Sequence, residues 1–305
     1  MKLRHLLALA AAPFALLGAP PILAETPAAT ATASTTATPA RGPALWQVAD
    51  EDTTIYLFGT VHVLPKDTEW YDPAIATALE GSDIIITEIP MDGETQAKAQ
   101  QLTMAMGLLP PGTTLRALLS PEQNEAYAAA LAKLGVPAEA FDPMKPWLAG
   151  LTLSILPLMQ QGYDPNAGVE KVLLDKVPEK PRGALETLEF QLGIFDQMPQ
   201  EAQIAFLMEA ANGIDEAKPM LDRMVAEWLK GDADALAEVM NEGLDDPAVA
   251  EALLYKRNAT WAEWIDGRLD LPGTVFIAVG AGHLAGPKSV QDYLAAKGIA
   301  TARVK

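Results

Sequence analysis

The chain has 305 residues, half of them hydrophobic and a fifth charged, with 40 acidic against 22 basic side chains and no cysteine. That length and composition fit one large domain or one carrying an insertion, and they exclude a fully disordered protein. The acidic excess repels phosphates and so argues against nucleic-acid binding, while the missing cysteines exclude disulfides, a thiolate nucleophile and a cysteine-type zinc site.

The N-terminus carries Lys2 and Arg4, an apolar run from Leu6 to Leu17, then Gly18, Pro20 and Pro21 before Ala24. A positive start, a short apolar core and a helix-breaking end predict a secretory signal peptide over residues 1–24. The run falls short of the roughly 20 apolar residues that span a bilayer. No stable membrane insertion is expected after cleavage, and the expected destination is the periplasm. An uncleaved anchor is the competing reading. Residues 25–44, rich in Ala, Thr and Pro, contain little to pack and are expected to be a linker to a domain over 45–305.

Leu45–Ala49 and Ile55–Phe58 read as strands joined by the polar turn Asp50–Asp52. A short helix is expected from Asp72 to Glu80, with Asp72 as its cap and Pro73 in the first turn. Ile84–Thr87 is a β-branched run ending at Glu88. From about 94 to 264 apolar residues recur mostly at helical spacing, through Leu118–Leu134, Trp147–Met159, Val169–Leu174, Phe190–Phe195, Ala202–Ala210 and Met220–Leu229, broken by a short strand at Gly183–Leu185. Lys145-Pro146-Trp147 reads as a helix start with Trp147 in the core. Arg257-Asn258 falls in a helix over Leu253–Leu269, and Val275–Val279 is an apolar strand followed by a helix at Lys288–Ala296 and a last strand near Ile299–Val304. The expected fold is α/β, a mixed sheet formed by the N- and C-terminal parts with a long helical insertion between them.

His62 and His283 are the two histidines beyond the signal, and each sits three residues after a glycine, Gly59 or Gly280, that follows a strand-like run. A glycine at a strand end permits a sharp turn or a close backbone approach, and carboxyl ends of strands in open α/β sheets are where ligands bind. Gly59 and Gly280 are therefore candidates for contact with a bound cofactor. Neutral imidazole is a common metal ligand. Glu88 ends a third strand among isoleucines, where a carboxylate is rarely buried without a cationic partner. His62, Glu88 and His283 could together hold a divalent ion with open positions. Against this stand two plainer readings, core histidines bonded to backbone and a Glu88 that caps the next segment or pairs with an arginine.

The two G-x-x-H motifs, Thr87-Glu88, Lys145-Pro146-Trp147, Leu185-Glu186-Thr187 with Gln191, and Arg257-Asn258 resemble the TraB/GumN family in their order along the chain. That family is related to the Tiki metalloproteases and more distantly to erythromycin-esterase-like and haem-binding ChaN-like proteins. The resemblance covers roughly Leu45 to the C-terminus. It implies the two-part sheet with an insertion, an active site containing His62, Glu88 and His283, and metal-dependent peptide cleavage with manganese or cobalt favoured and zinc a further candidate.

Arg257 is a candidate catalytic residue, able to stabilise an oxyanion or orient a carboxylate, or else it forms an ordinary salt bridge. Glu186 could supply a second carboxylate or, like Glu189, start a helix whose dipole favours acids. Neither G-x-S-x-G nor H-E-x-x-H occurs, so a serine hydrolase of that type and an ordinary zincin are poorly supported. The leading expectation is a secreted metal-dependent hydrolase of peptides or proteins. In it the histidines hold the ion or its water and Glu88 acts as ligand or general base. The alternative is a non-enzymatic periplasmic binding protein for haem, metal or a cell-envelope ligand. An iron(II) oxygenase triad is a weaker third reading.

Overall fold

The computed structural model describes residues 42–242 and 247–305. The expected signal peptide and residues 25–41 of the expected linker lie outside the described residues. Ala44 is buried, and Leu45 exchanges backbone hydrogen bonds with Lys305.

Strands β1 (Leu45–Ala49) and β2 (Thr53–Thr60) form an antiparallel hairpin in register Leu45↔Phe58. Its turn closes because Asp50 Oδ1 accepts the backbone N–H groups of Asp52 and Thr53, a short-range bond that Asp makes well. After β3 (Leu64–Pro65) comes α1 (Pro73–Gly81). Asp72 caps this helix by accepting from Ala74 and Ile75, and Pro73 opens it without losing a hydrogen bond. Next is β4 (Ile84–Thr87).

The insertion then runs through α2 (Gly93–Gly107), α3 (Pro121–Lys133), α4 (Pro146–Gln160), β5 (Tyr163–Asp164), α5 (Val169–Lys176), β6 (Arg182–Ala184), α6 (Leu188–Asp196), α7 (Gln200–Asn212), α8 (Ile214–Lys230), α9 (Ala233–Asn241) and α10 (Pro247–Ala250). A π-helical turn, Glu251–Tyr255, leads into α11 (Lys256–Leu269), followed by β7 (Gly273–Gly280), α12 (Val290–Ala296) and β8 (Ala302–Arg303).

The main sheet has the order β6-β4-β7-β2-β1-β8. Strands β6, β4, β7 and β2 run parallel, and β1 is antiparallel to both of its neighbours. The α/β architecture is as expected, with two differences. The last strand is only Ala302–Arg303, because the segment before it turns out of α12 before reaching the sheet. The insertion is also less separate than its helical pattern implies. Its β6 pairs with β4 as an edge of the main sheet, and β5 pairs with β3 in a small ladder.

Alternation along β7 sends Val275, Ile277 and Val279 to one face, against Trp261 and Ile265 of α11 and Leu294 of α12. Phe276 and Ala278 point to the opposite face, where the insertion helices build the larger core. A strand covered on both faces needs a continuous apolar run, which is how Val275–Val279 reads. Parallel β2, β4, β6 and β7 therefore release their chains at one common edge, from which His62, Glu88, Glu186 and His283 all emerge.

Candidate active site

His62 follows β2 by two residues, and its backbone is gripped by the start of α5. Val169 donates its N–H to Val61 O at 3.0 Å, and a Cβ on Gly168 would collide with the His62 carbonyl oxygen. This docking delivers Glu170 to the imidazole, with Oε1 2.5 Å from His62 Nδ1 and accepting also from Thr60 Oγ1 at 2.5 Å. Nδ1 therefore carries the proton. Nε2 has no hydrogen-bond partner among the described residues, and its ring lines a cleft of about 390 Å³ together with Glu88, Glu170 and the segment Thr87–Gly93.

His283 sits in a 3₁₀ turn, Ala281–Leu284, directly after β7. Its Nδ1 lies 2.6 Å from Asn258 Oδ1, and Asn258 Nδ2 donates to Lys288 O at 2.8 Å, which orients the amide. That arrangement puts the imidazole proton on Nδ1. The Nε2 lone pair faces Arg257 Nη1 at 3.1 Å. Both ring nitrogens of His283 are engaged, and the side chain is buried under the Trp261 ring. The matched motifs thus deliver unmatched histidines, one with a free nitrogen at the cleft and one locked.

Glu88 lies between them. Its Oε2 accepts from Arg257 Nη2 at 2.6 Å and Gln191 Nε2 at 2.9 Å, while its Oε1 accepts from the Gly280 N–H at 2.7 Å. Arg257 also donates Nε and Nη2 to Glu186 at 2.9 Å and Nη1 to the Leu253 carbonyl at 2.9 Å. A guanidinium has five N–H groups, and every one has a protein acceptor here. Arg257 has no donor left for a substrate oxyanion; its role in this geometry is to fix Glu88. Glu186 is no second ligand either, because it is held by Arg257, by Trp261 Nε1 at 2.9 Å and by Gln191. Glu189 pairs with Lys98 at the surface, in the first turn of α6. Trp147 is fully buried and donates, like Lys145, to Asp196.

The charges follow from these contacts. Burial pushes the Glu88 carboxyl up, but the Arg257 guanidinium, the two imidazoles and the Gly280 N–H together outweigh burial and hold it well below the usual carboxylate range. Burial disfavours charge on His62 too, yet the charge and hydrogen bond of Glu170, with the charge of Glu88, raise its pKa on balance. His283 goes the other way, pushed down to about 3 by burial and then by Arg257. Burial opposes charge on Arg257, and Glu88 with Glu186 restores it.

Gly59 and Gly280 act through close packing. A Cβ on Gly59 would lie 3.0 Å from Ala281 Cα, so its absence lets the His283 turn rest on the end of β2. A Cβ on Gly280 would lie 3.1 Å from Glu88 Oε1, 3.4 Å from His62 Nε2 and 3.6 Å from His283 Cδ2. Gly280 therefore marks the point where all three expected residues converge, although neither glycine lines the cleft.

That convergence does not make a three-ligand metal site as arranged. The His283 Nε2 lone pair and Glu88 Oε2 are both committed to Arg257, and among the described residues no group of three His, Asp or Glu side chains is set to hold an ion. Glu170 and Asn258 are the functional positions that residue-by-residue reading missed. Glu170 left a signal: with Val169, Leu173 and Leu174 it falls on the buried stripe of α5, an unusual place for a carboxylate.

A mixed α/β sheet with a helical insertion, and a buried His–Glu–Arg cluster at the carboxyl edge of its parallel strands, defines the class of protein. The chain belongs to the TraB/PrgY/gumN family, whose model matches residues 44–303. No curated protein and no solved structure matches it.

Proposed function

We propose that this chain is a hydrolase in which His62 is the general base and peptide bonds are the target. One observation carries the reading: His62 Nδ1 is paired with the buried Glu170 while Nε2 is left without a partner on a ring lining the cleft. Nε2 takes a proton from water as the water oxygen bonds to the substrate carbonyl carbon. Glu170 stabilises the imidazolium that forms. When the carbon–nitrogen bond breaks, the same proton passes from Nε2 to the leaving amine. A positioned base of this kind contributes about 10²–10⁴-fold in rate. Glu88, held ionised, adds negative potential beside the imidazolium. Peptide or protein substrates are favoured by the family resemblance.

A divalent ion, whether manganese, cobalt or zinc, has no step in this mechanism, since Glu88 and His283 would first have to release Arg257. Cleavage of a peptide library by the wild type and by His62→Ala, each with and without chelator, tests the proposal. Cleavage that His62→Ala lacks supports it. No cleavage by the wild type, with haem or metal bound instead, would establish the binding-protein alternative.

We also propose secretion to the periplasm by the segment 1–24. No helix among the described residues is long and apolar enough to cross a membrane. Mass spectrometry of the exported protein should find Glu25 at its start; a chain that retains Met1 and fractionates with membranes would show an anchor.

A further inference from the structure

Four residues supply the acceptors around the Arg257 guanidinium: Glu88 Oε2 at 2.6 Å, Glu186 Oε1 and Oε2 each at 2.9 Å, the Leu253 carbonyl at 2.9 Å and His283 Nε2 at 3.1 Å. Two carboxylates, an imidazole and a carbonyl are the donor set that manganese, cobalt or zinc also accept. Three features nevertheless shape the surroundings to a planar guanidinium. Glu186 receives Nε and Nη2 side by side, two parallel hydrogen bonds whose spacing matches the planar guanidinium fork. The Trp261 ring lies 4.9 Å from Arg257 Cζ, in cation–π range. The helix leading to Arg257 makes a π turn at Glu251–Tyr255, and the Leu253 carbonyl within that turn accepts from Nη1. Such turns are rare and frequently mark functional sites.

We infer that Arg257 is the resident cation of this centre, in the place where a divalent ion would otherwise bridge Glu88, Glu186 and His283, and that the native protein holds no divalent ion there. The buried carboxylates need a positive partner, and the chain supplies one covalently. The site is then charged at all times and independent of metal supply. This inference stands apart from the hydrolase reading, because its readout is bound metal and not turnover.

The experiment is metal analysis of the full chain after incubation with Mn²⁺, Co²⁺ or Zn²⁺ and desalting, for the wild type, Glu88→Gln, Arg257→Ala, Arg257→Lys and the double variant Arg257→Ala/Glu88→Gln. The wild type and Arg257→Lys should retain far less than one equivalent. Arg257→Ala should retain one equivalent as the vacated acceptors close to about 2.0–2.2 Å around the ion. Its Tm should then rise by about 5 °C at a hundredfold excess of metal over Kd, and the double variant should lose both effects. A wild type holding one tight equivalent that Glu88→Gln removes would overturn the inference, as would a folded Arg257→Ala that gains no metal. Should Arg257→Ala fail to fold, the wild-type and Arg257→Lys measurements still decide.

Discussion

Glu170 and His62 meet where α5 docks on the end of β2, with Glu170 Oε1 2.5 Å from Nδ1 and the same oxygen bonded by Thr60. A buried carboxylate behind one imidazole nitrogen fixes the tautomer and strengthens the other nitrogen as a base.

His62 and His283 should therefore fail in different ways. His62→Ala should lower kcat/KM by about 10²–10⁴-fold. His283→Ala leaves Asn258 Oδ1 and an Arg257 N–H unpaired and should cost about 1–3 kcal/mol of stability. Denaturant midpoints and turnover, measured on both, separate the roles. Equal loss of activity at unchanged stability for the two variants would return His283 to the reacting centre.

Glu170→Gln should move the pH profile. The His62 pKa is raised above 6.5, so the free base needed for catalysis appears only as pH rises through a value above 6.5. The amide removes the charge that raises it, so the ascending, acid-side limb of kcat/KM should shift to lower pH. The same linkage gives stability that is complete below pH 6.5 and lost as pH rises through the folded pKa; Glu170→Gln should flatten that loss. An unshifted limb would falsify Glu170 as the partner of the base.

His283 carries the opposite linkage. Its pKa falls from 6.5 to about 3 on folding, so the unfolded chain takes up a proton between these values and the native state does not. Stability should decline as pH drops from 6.5 toward 3, and His283→Gln should decline less steeply. Urea midpoints at a series of pH values make the comparison; parallel curves for the two proteins would refute it.

Gly280→Ala probes the point of convergence. The backbone there has φ −49°, which alanine adopts freely, but its methyl group would press on Glu88 Oε1 and His62 Nε2. The variant should fold with a Tm close to wild type and lose roughly 100-fold in kcat, the scale of a small displacement of reacting groups. Wild-type turnover would show that the reaction occurs elsewhere.

Glu186 and Glu189 stand three positions apart with opposite fates. Glu186→Gln removes one carboxylate from a buried pair and should cost about 3–5 kcal/mol. Glu189→Gln breaks an exposed pair with Lys98 and should cost less than about 1 kcal/mol. Comparable midpoints for both variants would mean that Arg257 does not depend on Glu186.

Local pattern by itself determined the Asp72–Pro73 helix start, the strands around Ile55, Ile85 and Ile277, and the strand-end placement of His62, Glu88 and His283. Each of these depends on neighbours a few residues away: a cap, a period, or a glycine at a strand end. Only the tertiary structure decided which imidazole nitrogen is free, that Arg257 is saturated by Glu88, Glu186, His283 and Leu253, and that Glu170 stands behind His62. Partners for a buried charge come from remote segments, and their approach is set by the parallel register of β4, β7 and β2 and by the docking of α5 on Val61. The sequence marks the position of a carboxylate such as Glu170 on an apolar stripe, but the identity of its counterpart appears only when the strands are aligned.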